Sequence, residues 1–188
     1  MNKENPIALV NRPTPNSDWN RFHDALLEAI KNIGAPYFRV TREMADPIGR
    51  ERAYCYELYY RLRDYLPGDF AYTLHGEIDK AGHAHVIQML GLGKRPNPDF
   101  VVHKPSHGGA EANLAVIEVK LSETGIKPIR RDLRKIRRFM TRLGYQHGIM
   151  LLFGSQNPAD LPRLGQIEAL WHRADGEEPI PSKYGRFS

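Results

Sequence analysis

Three residues combine type and spacing in a way that invites chemistry: Asp99, directly after Pro98, and the pair Glu118 and Lys120. Glu118 and Lys120 interrupt the segment Asn113–Leu121, which is otherwise apolar from Leu114 onward. Two residues apart on a strand, they project from the same face. Burying either charge alone would be expensive, whereas a carboxylate and an ammonium that share a divalent cation and a phosphate each find a partner. Asp99 stands at the mouth of a short strand, 100–103, where its carboxylate can meet that of Glu118. Two converging carboxylates bind a hard cation, Mg2+ or Mn2+, through oxygen.

Periodicity gives the elements that must position these residues. Phe22, Leu26, Ile30 and Ile33 recur at helical spacing, so a helix is expected over 18–32, capped by Asp18 and stopped by Gly34 and Pro36. After a loop, Tyr54, Leu58, Leu62 and Tyr65 predict a helix over 47–66, broken by Pro67-Gly68-Asp69. Segments 70–79 and 85–90, joined by a turn at Lys80-Ala81-Gly82, read as a β-hairpin. The loop 91–98 delivers Asp99 to its strand. A basic helix is expected over 126–143, an apolar strand over 148–153 and a last helix over 161–172. Helix, strands, helix, strand, helix fits an α/β fold, a three-layer sandwich with a central mixed β-sheet. The expected organisation is one domain over 1–188, with an N-terminal helical extension (1–45), a core (46–155) and a C-terminal helix and tail (156–188).

Pro98-Asp99 followed by Glu118-Val119-Lys120 at the end of a hydrophobic strand resembles the signature of the PD-(D/E)XK nuclease superfamily. The resemblance covers residues 54–153 and implies a restriction-endonuclease-like core. It further implies that Asp99 and Glu118 hold the metal, while Lys120 orients or helps deprotonate the attacking water and stabilises charge on phosphorus. Members that add a glutamate from the helix before the sheet point to Glu57, and those with an acid on the first strand point to Glu77. The implied activity is Mg2+- or Mn2+-dependent hydrolysis of nucleic acid, DNA favoured over RNA. The alternative is a non-catalytic nucleic-acid- or partner-binding module on the same sheet.

Charge distribution agrees with a polyanionic partner. The net charge is +5, and eight cations between Lys127 and Arg142 face a single acid, Asp132. On a helical wheel Ile126, Ile129, Leu133, Ile136, Met140 and Leu143 form one side. Arg131, Arg134, Lys135, Arg138 and Arg142 cover the other, and with Arg130 they are the residues expected to neutralise nucleic-acid phosphates. His83 and His85 lack the helical spacing or cysteine partners of a zinc centre and read as surface histidines, while His103 is expected beside Asp99, near substrate or water. Cys55, the only cysteine, excludes a disulfide framework within one chain. No apolar run approaches a bilayer span and no signal core opens the chain, so a cytoplasmic protein with no membrane partner is expected. A homodimer would present two sites for cutting both strands.

Overall fold

In the computed structural model, residues 17–42, 45–49, 51–76, 97–105, 107, 109–158, 160–182 and 185–187 are described. Helix α1 (Asp18–Lys31) forms where the apolar spacing requires it, burying Phe22, Leu26 and Ile30. Its cap is Ser17 rather than Asp18: the Ser17 hydroxyl accepts the Asn20 N–H at 3.3 Å, and Asp18 lies in the first turn, where a negative charge is favourable. A two-stranded antiparallel ribbon, β1 (Arg39–Arg42) and β2 (Ala45–Gly49), follows where a loop and the start of the next helix were expected. Pro47, read as a first helical residue, sits in an edge strand instead, which tolerates its missing N–H. Helix α2 therefore begins only at Glu51 and runs to Tyr65.

The main sheet has six strands in sequential order: β3 (Thr73–Gly76), β4 (Phe100–His103), β5 (Asn113–Leu121), β6 (His147–Phe153), β7 (Ile167–His172) and β8 (Ile180–Pro181). The first three form an antiparallel meander; β5, β6 and β7 are parallel, and β8 is antiparallel to β7. Helix α3 (Ile126–Leu143) makes the crossover from β5 to β6 and ends on Gly144, whose φ of 72° is the left-handed conformation of a helix C-terminus. A methyl group on Gly148 would meet Ile136 and Met140, so this glycine sets how closely α3 approaches the sheet.

Alternate strand residues divide between two cores. Phe100, Val102, Ala115, Ile117, Val119, Ile149, Leu151 and Phe153 pack with α1 and α2. Val101, Val116, Met150, Leu152, Ala169 and Trp171 pack under α3 on the opposite face. The result is an α/β sandwich of three layers around a mixed sheet.

One further expectation changes here. Residues 161–172 do not form a helix; Ile167, Ala169 and Trp171 alternate with Leu170 and His172, and both sets are buried, as in a strand covered on both faces. The strand at 73–76 pairs with β4, the strand that carries Asp99. Its expected hairpin partner over 85–90, like Glu77, His83 and His85, lies outside the described residues. Among the described residues no helix is long and apolar enough to cross a membrane.

Candidate metal centre

The register between β4 and β5 assembles the site. Phe100 lies opposite Ile117, so one step further the antiparallel register sets Asp99 opposite Glu118. The backbone N–H of Val119 donates to Asp99 Oδ2 at 2.7 Å and pins that carboxylate at the strand mouth. Glu118 and Lys120 continue the face of Val116 toward α3, where an apolar residue would ordinarily stand. Glu118 is only 2% exposed.

Two lysines and two further acids close around this pair. Lys135, from α3, donates to Glu118 Oε2 at 2.7 Å and to the Asn97 carbonyl at 3.1 Å. Lys120 donates to Glu51 Oε2 at 2.7 Å, and its Nζ lies 3.4 Å from Asp132 Oδ2. Glu51 is the first residue of α2, and Asp132 is buried on α3. Four carboxylates thus face two ammonium groups and, on Asp132 Oδ1 at 3.6 Å, the Arg131 guanidinium, so acids outnumber cations in the cluster when all are ionised.

Burial and mutual repulsion act on the acids accordingly. Burial raises the pKa of Asp99, against the Val119 N–H and the charges of Lys135 and Lys120. Glu118 is pushed well up, first by burial and then by the charge of Asp99, with Lys135 opposing. Burial alone would lower the pKa of Lys120, but its bond to Glu51 and the charges of Asp132, Glu51 and Asp99 together raise it, so Lys120 stays an ammonium.

These residues fit a hard cation. Glu118 Oε1 and Asn97 Oδ1 are buried oxygens without a hydrogen-bond partner among the described residues, and Asp132 Oδ2 has the Lys120 ammonium at 3.4 Å but no hydrogen bond. A divalent ion would offset the excess of acids, and oxygen-only donors are what Mg2+ and Mn2+ take. Asp99 and Glu118 would hold it, with water completing the coordination, because among the described residues no group of three or more His, Cys, Asp or Glu side chains lies close enough to form a full protein cage.

The structure brings together Asp99, Glu118 and Lys120 but gives other expected residues different partners. Glu57 is buried and bonded to Arg61 on its own helix at 2.6 Å. The acid that α2 sends to the site is Glu51, about 120° around the helix from Glu57. Lys135 is not on the outer, solvent-facing side of α3; it is turned inward onto Glu118, and its side chain is 19% exposed. Arg130, Arg131, Arg134 and Arg142 are exposed, whereas Arg138 is half-buried. His103 ends about 13 Å along the strand from Asp99 and pairs with His75 at 2.8 Å, away from the carboxylates. Sequence reasoning missed Asp132, although the signal was present: the lone acid of the basic segment stands three residues after Ile129 and four before Ile136, within the apolar stripe. Lys135 is one turn further along the same edge.

Compared with protein-family models, curated proteins and solved structures, the chain matches none.

Proposed function

We propose that this protein is a divalent-metal-dependent nuclease of the PD-(D/E)XK type, hydrolysing a phosphodiester of DNA in preference to RNA. The observation that carries the reading is the buried pair Asp99 and Glu118, opposed across β4 and β5 with a charge deficit around them and Lys120 two residues along. The meander β3-β4-β5 followed by the α3 crossover to a parallel β6 is the arrangement that such a core requires, which supports the same reading.

Bound Mg2+ or Mn2+ would supply Lewis acidity at the scissile phosphate and a more acidic water. Asp99 and Glu118 would hold the metal, and the Val119 N–H fixes the angle of Asp99. Lys120, steered by Glu51 and Asp132, stabilises negative charge on the phosphoryl oxygens and orients the attacking water. The exposed Arg130, Arg131, Arg134 and Arg142 of α3 neutralise phosphates beyond the cut. On this reading the protein works in the cytoplasm, and a twofold dimer is the form suited to cutting both strands.

A non-catalytic nucleic-acid- or partner-binding module draws on one observation: Lys135 already places an ammonium on Glu118, where a cation would sit. Cleavage of mixed DNA and RNA substrates with Mn2+, by wild type and Lys120→Ala, separates the two. Cleavage by wild type and its loss in Lys120→Ala, with metal binding retained, is the result expected of the nuclease; equal activity in Lys120→Ala would sink the assigned mechanism.

A further inference from the structure

Four large apolar side chains are exposed among the described residues, all of them tyrosines, and three belong to α2: Tyr56 (64%), Tyr60 (68%) and Tyr65 (38%). Arg52, Tyr56, Tyr59, Tyr60 and Arg63 recur at spacings of three, four and seven, which places them along one stripe of the helix. A hollow of about 340 Å³ opens beside this stripe, walled by Arg52, Tyr56 and Tyr59 on the helix and by His75, Phe100 and Asp99 on the sheet. A second, of about 400 Å³, continues from Tyr59 and Arg63 toward Tyr72 and Leu74. The Arg63 guanidinium lies 5.7 Å from the Tyr59 ring, and Lys104 lies 4.6 Å from the Tyr72 ring.

We infer that this stripe is a stacking platform for the unpaired bases of a single strand that enters the metal centre past Asp99, an inference that rests on the nuclease reading for its polyanionic ligand. Three features select that occupant. The most exposed side chains offered are tyrosine rings and guanidinium planes, which stack on any base, while Leu66 and Phe70 of the second hollow are half-buried. Arg52 and Arg63 bracket the rings with charge complementary to a phosphate backbone, with Asp64 at one rim and Asp99 in the wall of the first hollow. The groove runs into the candidate centre, since Asp99 forms part of the wall of the first hollow. Tyr56 and Tyr60 are about 6 Å apart along the helix axis, so adjacent bases can use both.

The test is fluorescence anisotropy in EDTA, where nothing is cut, with a labelled oligothymidylate and a labelled duplex of equal phosphate number. Wild type should bind the single strand more tightly than the duplex. Tyr56→Ala should weaken single-strand binding about tenfold and Tyr56→Ala/Tyr60→Ala about a hundredfold. Tyr→Phe at both positions should retain it, and duplex binding, which also reports that the variants are folded, should stay unchanged. Equal single-strand binding by wild type and the alanine variants, as for a protein-docking surface, would overturn the platform while cleavage, assayed separately with Mn2+, leaves the nuclease standing. Failure of wild type to bind either oligonucleotide would remove both.

Discussion

The two faces of the sheet are built from the same strands and filled in opposite ways. Under α1 and α2 the inward positions of β5 are apolar at Ala115, Ile117 and Val119, Tyr54 stacks on Phe153 with ring centroids 4.1 Å apart, Phe38 meets His172 edge-on, and the Tyr54 hydroxyl bonds to His172 Nδ1 at 2.9 Å. Under α3 the same strand positions begin apolar, at Val116, and turn ionic at Glu118 and Lys120, met by Asp132 and Lys135 from the helix. A face that only had to hold α3 would be more stable with hydrophobic residues there, since buried ion pairs seldom repay their desolvation. The contrast sets the α3 face apart as the one that carries the ionic cluster, while the α1/α2 face packs the larger apolar core.

The largest effect that would sharpen this contrast is expected from the α1/α2 side. Phe22→Ala should cost about 3–5 kcal/mol in chemical denaturation, with Mn2+ affinity unchanged in the fraction that remains folded. The ionic side should behave in reverse. Glu118→Met combined with Lys135→Met should raise stability by about 1–4 kcal/mol while abolishing Mn2+ binding; a large loss of stability would mean that the charges hold the fold.

Acid and base should then separate the faces. Burial lowers the pKa of His172 from 6.5 to about 4, so its contribution is complete above 6.5 and is lost as pH falls from 6.5 to about 4. The pKa values of Asp99 and Glu118 are raised in the fold, so their contribution is present below the ordinary carboxylate range and is lost as pH rises through the raised values. Thermal melts should therefore show an acid limb that Mn2+ leaves alone and a basic limb that Mn2+ removes. A metal-induced shift that is the same at all pH would break the assignment. The smallest effect on the fold is expected outside both faces. Charge reversal at the exposed Arg130, Arg131 and Arg134 should change stability by less than about 0.5 kcal/mol yet flatten the salt dependence of nucleic-acid binding by about one unit of slope per lost contact.

The legible parts of the fold were those with a long, regular pattern. α1 and α3 stand where helical spacing put them, β5 and β6 where apolar runs did, and α2 matches from Glu51 onward. The placement of Glu118 and Lys120 on one face was legible because both charges fall inside an apolar strand, and that of Asp99 because it directly precedes the next strand. What escaped depended on tertiary context. Glu51 became visible only once α2 was seen to start there, because the position of the first turn decides which acid reaches the sheet end. Lys135 looks like one more cation of a basic helix until Glu118 supplies its partner. β7 was misread because residues buried on both faces carry no polar alternation, and a short apolar run without it does not tell strand from helix.

The most direct test is calorimetric titration of Mn2+ into wild type and Glu118→Gln, a substitution that keeps the side chain's shape and removes its charge. Saturable binding to wild type, lost in Glu118→Gln while the variant remains folded, is the expected result. Equal binding by the two proteins, or none by wild type, would contradict a metal centre at Asp99 and Glu118.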